Sequence, residues 1–245
     1  MKKQILIFAA ALTTVAFVSC SKQSREESQL NNPGEIAGAA TQRPDPSTVA
    51  SLSKGLICLY EFDGTVKDKT AKLADVVLGG NTPTYTVDRK GMRGRAIKFT
   101  GQFGGTVFNV PLSTKMSLAL WVKYDSALAQ FAPIAFGTSG GPGTFQYSNM
   151  YHGYNSNNID EWIGSAPMNN SWHLLVVTMD GTYTRFYVDG NFVGNKLIQA
   201  NAGLSITNYN LAYNGGSIFW FGSMDDFRLY NRVLTSSEIQ TLFNL

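Results

Sequence analysis

Residues 172–194 read WHLLVVTMDGTYTRFYVDGNFVG, and this stretch decides the fold. Apolar runs flank two Asp-Gly pairs, Asp180-Gly181 and Asp189-Gly190. An Asp-Gly pair between two such runs favours a tight turn, because both residues tolerate the backbone angles that a short hairpin requires. The stretch therefore predicts antiparallel strands joined by short turns.

The same kind of run recurs along the rest of the chain. Residues 117–124 alternate, with Leu118, Leu120 and Val122 on one predicted face and Trp121 on the other. Further runs lie at 55–62, 95–99, 131–136, 206–213, 218–221 and 225–230. Many short strands with tight turns predict an all-β sandwich. The sequence Thr-Ser-Ser-Glu at 235–238 is a capping box, which predicts one short C-terminal helix.

Composition sets the broad class of the protein. The chain has 245 residues, of which 44% are hydrophobic and 12% aromatic, enough for a sizeable core and too many for a disordered chain. Charged residues make up 15%, beside 24 glycines, a balance typical of sheets. The net charge of +3 gives no electrostatic footprint for nucleic acid, so we expect no nucleic-acid partner.

The first twenty residues resemble a bacterial lipoprotein signal. A cationic start, Met1-Lys2-Lys3, precedes an apolar run that is too short to span a membrane and ends at Cys20. The resemblance implies cleavage after residue 19 and a lipid anchor on Cys20. The alternative is an ordinary secretory signal. We expect an outer-membrane lipoprotein at the cell surface or the periplasmic face, in which residues 20–52 form a flexible tether and residues 53–245 the domain.

Acidic residues close behind the anchor, in Arg25-Glu26-Glu27, resemble the surface-export signal of Bacteroidetes lipoproteins. A plain polar linker has the same appearance. The expectation leans to the outer surface.

Three stretches together resemble the laminin-G-like, concanavalin A-like family. They are LICLYEFDGTVKD at 56–68, the stretch at 172–194, and GSMDDFRLYNRVLTSSE at 222–238. The resemblance implies a jelly-roll of two antiparallel sheets. Domains of this family bind sugars or proteins, or serve as accessory modules beside enzymes, so the fold alone does not fix the function.

The sequence predicts a domain without catalytic activity. The resemblance implies that a glucanase would carry carboxylates at alternating positions of one strand, and Asn158 stands where the first of them would be. Asp160 and Glu161 are adjacent, so in a regular strand they point to opposite faces. The same holds for Asp225 and Asp226. A divergent glycoside hydrolase is the third interpretation, behind two kinds of binding protein.

The stretch from 138 to 170 is rich in aromatic and amide side chains. Aromatic rings stack on sugar rings, and amides supply both donors and acceptors for hydroxyl groups. The alternative is that many of these residues pack the sandwich or fill turns. The predicted ligand-binding residues are Tyr147, Tyr151, Tyr154, Asn155, Trp162 and, on a neighbouring strand, Trp220.

The family resemblance also implies a structural Ca²⁺ where the opening turn meets the last strand, at Asp63 and Asp225. Asp225 has the same strand parity as Phe227, so its carboxylate is expected to point inward and to need a partner. That partner is Ca²⁺, an arginine such as Arg228 or Arg232, or a backbone cap.

These observations favour non-catalytic binding of a neutral glycan by a lipid-anchored envelope protein. The partners that we expect are a glycan or an envelope protein, with the membrane reached through the lipid. The second interpretation is a protein–protein interaction module, which predicts an exposed apolar patch on a sheet face.

Overall fold

The computed structural model describes residues 45–79, 82–101, 103–111, 113–125, 134–136, 151–154, 160–164, 169–197, 208–212 and 220–245. The predicted signal peptide, Cys20, Tyr147 and Asn155 lie outside these ranges. The described residues form two helices, α1 (Pro46–Ser51) and α2 (Ser236–Asn244). They also form fourteen strands: β1 (Leu56–Tyr60), β2 (Val77–Leu78), β3 (Thr84–Thr86), β4 (Ala96–Thr100), β5 (Gly105–Val107), β6 (Met116–Tyr124), β7 (Ile134–Phe136), β8 (Tyr151–Tyr154), β9 (Asp160–Gly164), β10 (Trp172–Met179), β11 (Tyr183–Val188), β12 (Asn191–Leu197), β13 (Tyr209–Leu211) and β14 (Phe221–Tyr230).

The strands make two main sheets and one separate hairpin. The large sheet has eight strands in the order β12-β11-β10-β6-β14-β4-β3, with β1 also paired to β14. The small sheet has four strands in the order β2-β5-β13-β7, and β8 pairs with β9. All pairings are antiparallel. This arrangement confirms the predicted all-β sandwich.

The two Asp-Gly pairs form the predicted hairpin turns. Asp180 and Gly181 lie between β10 and β11, and Asp189 and Gly190 join β11 to β12. Asp189 and Gly190 have φ angles of 49° and 80°, as a two-residue turn of type I′ requires. A Cβ atom at Gly190 would lie 2.4 Å from the end of the flexible Gln240 side chain of α2, which would have to shift.

Apolar side chains are buried on both faces of the large sheet. Leu118, Leu120 and Val122 of β6 belong to the main core, which includes residues of both sheets. Trp121 of the same strand belongs to a second cluster on the opposite face, together with Ile239 of α2. The alternation predicted for this strand is therefore confirmed, and α2 covers part of the outer face of the large sheet.

The helix α1 lies in a stretch that the sequence predicted to be tether. Asp45 caps it by accepting a hydrogen bond from the backbone N–H of Ser47, and Leu52, just after it, is buried in the outer cluster. Residues 45–52, part of the predicted tether, thus include a short helix and one side chain that packs on the domain. No described helix has the length and apolarity needed to cross a membrane.

The last strand differs from its prediction in one respect that shapes a site. Residues 221–230 form one long strand, where the sequence indicated two shorter ones. Its register with β6 shifts between Asp225 and Arg228 because Asp226 adopts a left-handed backbone conformation with φ 48°. An extra residue of this kind is a β-bulge, which bends a strand and changes the direction of its side chains.

Candidate functional site

Three of the predicted ligand-binding residues lie on one hairpin. Tyr151 and Tyr154 begin and end β8, and Trp162 is at the centre of β9. In the register of the pair, His152 is opposite Trp162 and Tyr154 is opposite Asp160. The antiparallel pairing therefore brings together residues that are about ten positions apart in the sequence.

This hairpin lies beside an apolar edge of the large sheet. Strand β9 contacts β12, the strand that ends the order of the large sheet. Phe192 and Leu197 of β12 are 56% and 55% exposed, and Leu197 pairs across the strands with the exposed Tyr183. We call Tyr183, Phe192 and Leu197 the edge patch. Sequence analysis did not select these residues, because alternation predicts the face of a strand but not where a covering helix ends.

The edge patch lies on the outer face of the large sheet. The ring of Phe192 meets the edge of the Tyr187 ring at a centroid distance of 5.6 Å, and Tyr187 belongs to the outer cluster. The Arg185 guanidinium lies 5.3 Å from the centre of the Tyr183 ring. The outer face therefore presents aromatic and polar groups at its edge, where the apolar side chains are no longer buried.

Trp220 is a core residue, which corrects its prediction as a ligand-binding residue. Its side chain is only 2% exposed and belongs to the main core. The ring packs so closely over Gly222 that a Cβ atom there would lie 2.5 Å from it. A ring in this position has no free face on which a sugar could stack.

The two predicted metal ligands line one charged cavity of about 260 Å³. The opening turn after β1, the turn between β3 and β4, and the bulge of β14 form its walls. Its lining includes the carboxylates Glu61, Asp63, Asp88, Asp225 and Asp226 and four cationic side chains, Arg89, Lys90, Arg95 and Arg228.

At the back of this cavity, Arg89 binds two adjacent carboxylates. Its Nη1 lies 2.7 Å from Asp225 Oδ2, and its Nη2 lies 2.7 Å from Asp226 Oδ2. We call these three residues the Arg89 cluster. The guanidinium also stacks on Trp121, with its central carbon 4.9 Å from the ring centre.

The structure differs from the prediction for Asp225 in the face on which it lies, in its direction relative to Asp226 and in its arginine partner. The bulge at Asp226 changes the parity of the strand, so Asp225 pairs with Trp121 on the helix-covered face and not with the Phe227 side. The bulge also lets the two adjacent carboxylates reach the same guanidinium. The arginine beside Asp225 is Arg89, whereas Arg228 approaches Asp226, at 3.7 Å.

One arginine does not fully compensate two buried carboxylates. Asp225 is 3% exposed. Burial raises the pKa of its carboxyl to about 7, the charge on Asp226 adds to the rise, and the Arg89 guanidinium opposes it. The environment of Asp225 therefore disfavours the charged form of its carboxyl, even with Arg89 in contact.

The donors around this cavity do not fit Ca²⁺. Calcium takes six to eight oxygen ligands. Among the residues that the structure describes, no group of three or more His, Cys, Asp or Glu side chains could hold a metal ion. Asp225 and Asp226 already bind Arg89, and Asp63 Oδ2 lies 3.8 Å from Arg95 Nη1. Arginine side chains thus occupy the carboxylates that the resemblance assigned to the metal.

Sequence comparison decides the family. The model of the concanavalin A-like lectin/glucanases superfamily matches residues 101–240, more than half of the chain. The chain belongs to this superfamily. The concanavalin A-like assignment agrees with the two antiparallel sheets and the short C-terminal helix, and the predicted jelly-roll is confirmed. No curated protein matches the sequence.

Several solved structures share this concanavalin A-like fold at low sequence identity. Domain 4 of AbnA, a GH43 extracellular arabinanase from Geobacillus stearothermophilus, in complex with arabinotriose, has a TM-score of 0.64 and 20% identity. The match covers 78% of this chain and 98% of that one. The ligand binding domain of botulinum neurotoxin serotype D, in complex with N-acetylneuraminic acid, has a TM-score of 0.65 and 12% identity.

The botulinum neurotoxin matches cover only part of the longer chain. For serotype D the match spans 80% of this chain and 52% of that one. The binding domain of botulinum neurotoxin DC in complex with rat synaptotagmin II gives a TM-score of 0.62, 15% identity and coverage of 79% and 52%. This chain therefore corresponds to about half of each neurotoxin binding domain, and the likeness concerns the fold.

Proposed function

We propose that this domain binds a neutral glycan without cleaving it. The observation that carries the proposal is the position of the β8–β9 hairpin, which bears Tyr151, Tyr154 and Trp162 and lies against β12 with its exposed Phe192. Aromatic residues on neighbouring strands would supply apolar platforms for sugar rings. The arabinotriose complex of AbnA domain 4 supports a carbohydrate ligand for this fold.

The charges within residues 138–170 favour an uncharged ligand. Residues 138–170 contain two carboxylates, Asp160 and Glu161, and no lysine or arginine. A polyanionic glycan would need cations to offset its charge. Asparagine and glutamine side chains, which are frequent in this stretch, bind neutral hydroxyl groups as both donors and acceptors.

The carboxylates of the charged cavity support a role without catalysis. Asp225 and Asp226 each bind Arg89 at 2.7 Å, and the Asp225 side chain is buried. A glycosidase needs one carboxyl that protonates the leaving oxygen and a second that attacks or activates water, both in contact with the sugar. A carboxylate that is buried and bound to arginine does not reach a substrate.

The test is calorimetric titration of the purified chain with neutral polysaccharides, beginning with arabinan. The Tyr151→Ala/Trp162→Ala double variant should lose about 5- to 150-fold in affinity, since two stacking contacts contribute roughly 1–3 kcal/mol together. Phe108→Ala is the matched control, because Phe108 is an exposed aromatic residue on the loop after β5. Equal affinity of the double variant and the control would remove the proposed site.

A reducing-sugar assay on the same mixtures separates binding from hydrolysis. We expect no release of sugar from any polysaccharide that binds. Release that disappears in Asp226→Asn would establish a glycoside hydrolase in place of a binding module.

The edge patch supports a second candidate function, which is binding of an envelope protein. Phe192 and Leu197 expose apolar surface on β12, and no further strand pairs with β12 among the described residues. An exposed apolar strand at a sheet edge is a ready template for another chain. A partner that copurifies with the wild type and is lost from Phe192→Glu/Leu197→Glu, with no heat from any glycan, would favour this function.

We also propose that a lipid on Cys20 holds the domain at the outer membrane. The apolar run that ends at Cys20 supports this proposal. Mass spectrometry of the mature amino terminus tests it. A diacylglyceryl cysteine at position 20 is the expected result, and a Cys20→Ser variant should be released from the membrane fraction. An unmodified terminus would indicate an ordinary secretory signal.

A further inference from the structure

We infer that the guanidinium of Arg89 is the resident cation of this domain, occupying the carboxylates at the bulge of β14 in place of a metal ion. The inference concerns the charged cavity and is independent of the proposed glycan site. It rests on the contacts of Arg89, on the shape of β14 and on the donor set around the cavity.

Arg89 is largely buried in the folded domain. Its side chain is 10% exposed, and arginine is rarely buried to that extent unless its charge is paired. The two Nη atoms each meet a different carboxylate at 2.7 Å. The guanidinium therefore bridges Asp225 and Asp226 much as a metal ion bridges two ligands.

The bulge of β14 at Asp226 makes this bridge possible. A regular strand would direct neighbouring side chains to opposite faces. Asp226 has φ 48°, a conformation that is uncommon outside glycine, and the resulting bulge brings both carboxylates to one side. Such a bulge re-aims side chains at a defined point of a strand. Here the point of convergence is filled by Arg89.

The turn that carries Arg89 is held in a fixed position by Asp88. The neighbouring residue, Asp88, is buried and accepts hydrogen bonds from the backbone N–H groups of Lys90 and Met92 at 2.9 and 2.7 Å. The turn between β3 and β4 is thus closed by its own side chain, which positions Arg89 over Trp121 and β14. A flexible surface arginine would lack this support.

The surroundings of Arg89 exclude a shared role with a metal ion at this point. Stacking of the guanidinium on Trp121 uses a planar cation, and the carbon lies 4.9 Å from the ring centre. Within the described ranges no three carboxylate, histidine or cysteine side chains are grouped to hold a metal. The carboxylates at the bulge of β14 should therefore take no Ca²⁺.

The experiment compares thermal unfolding of the full chain with and without calcium. Wild type should have the same Tm in millimolar Ca²⁺ and in EDTA. Arg89→Ala should lower the Tm by roughly 6–20 °C, the range expected when one partner of a buried ion pair is removed. Arg93→Ala is the matched control, since Arg93 is an exposed arginine of the same turn and should change the Tm by at most about 2 °C.

Two outcomes would overturn the inference. One is a wild-type Tm that falls in EDTA and recovers with Ca²⁺, which would show a metal in the site. The other is an Arg89→Ala variant as stable as Arg93→Ala. If Arg89→Ala does not fold, Arg89→Lys takes its place: lysine keeps the charge but lacks the fork that reaches two carboxylates, so its Tm should fall below that of wild type.

Discussion

Two arginines of this domain bind buried carboxylates, and they do so with opposite consequences. Arg89 divides its two Nη atoms between Asp225 and Asp226. Arg232 directs both of its Nη atoms to one carboxylate, Glu238 of α2, at 2.7 and 2.8 Å. In the first arrangement two anions share one guanidinium, with Arg228 3.7 Å from Asp226, and in the second one guanidinium serves one anion.

Hydrogen bonds from other groups increase this difference. Glu238 also accepts the Ser51 hydroxyl at 2.6 Å and the backbone N–H of Thr235 at 2.9 Å. Burial alone would raise the pKa of Glu238, but the bonds from Arg232, Ser51 and Thr235 outweigh it and lower the pKa to about 2. Around Asp225 the balance is reversed, and burial raises the pKa to about 7.

Burial and the number of donors together decide the sign of the two pKa shifts. Each carboxylate touches an arginine, so that contact alone does not distinguish them. Glu238 has a bidentate partner and neutral donors, whereas Asp225 shares its partner with a second anion. The Glu238 site therefore stabilises the charged form of its carboxyl, whereas the surroundings of Asp225 disfavour the charged form.

Arg232→Ala should produce the largest loss of stability at the Glu238 site. It removes both charged donors from a side chain that is only 8% exposed. It also removes the bonds from Arg232 to the backbone oxygens of Ser51 and Lys54, which attach the α1 region to the domain. We expect a cost of about 3 kcal/mol in urea unfolding. Arg93→Ala is the control, and a cost no larger than that of the control would contradict the comparison.

Lowering the pH should reduce the stability that the Glu238 site contributes, within a defined pH range. Because folding lowers the pKa of Glu238 from 4.5 to about 2, its contribution is complete above pH 4.5 and is lost as the pH falls toward 2. Protonation of Glu238 should reduce the free energy of unfolding by about 3 kcal/mol over that window. Urea unfolding at a series of pH values checks it.

The control for this pH series is Glu238→Gln, which keeps every other carboxylate. The slope of stability against pH should be shallower in the variant than in wild type between pH 4.5 and 2. Asp180, whose pKa is lowered to about 2 by the backbone of Tyr183 and by Arg185 against the effect of burial, contributes equally to both proteins. Identical slopes would show that Glu238 is not the group that titrates.

A smaller effect is expected from one hydroxyl at the same site. Ser51→Ala removes the bond that joins α1 to Glu238 and should cost about 1 kcal/mol. Ser53→Ala is a matched control, because the Ser53 hydroxyl binds only the nearby Ala50 carbonyl in an exposed position. The two variants are compared by urea unfolding. A Ser53→Ala cost equal to that of Ser51→Ala would contradict a special role for the α1–α2 link.

The sequence alone predicts the elements that are held by local contacts, and it does not predict those held by distant residues. The hairpin turn at Asp189-Gly190 and the capping box at Thr235–Glu238 were predicted because their signals are local: the residues that interact are a few positions apart. The helix α1 was not predicted, since its six residues are held by Arg232 and Glu238, which follow far along the chain.

The sequence predicted the candidate sites only in part, because their residues are also brought together from distant positions. The aromatic residues of 138–170 were selected from composition, and the pairing of β8 with β9 brings three of them onto one hairpin. Asp225 was expected to need a partner, but Arg89 is 136 positions away and no local pattern connects them. Its position on the other face depends on the bulge at Asp226, for which an aspartate pair is too weak a signal.

The smallest effect should come from Asp225→Asn, and it tests the comparison most directly. Asparagine keeps an oxygen that accepts a hydrogen bond from Arg89, and the loss of one charge removes the repulsion from Asp226. We expect a change within about 0.5 kcal/mol, whereas Glu238→Gln, which discards a well-compensated charge, should cost about 2 kcal/mol. Urea unfolding of the two variants near neutral pH measures this difference. Equal costs would mean that Arg89 compensates Asp225 as fully as Arg232 compensates Glu238, because only an uncompensated charge can be removed without loss.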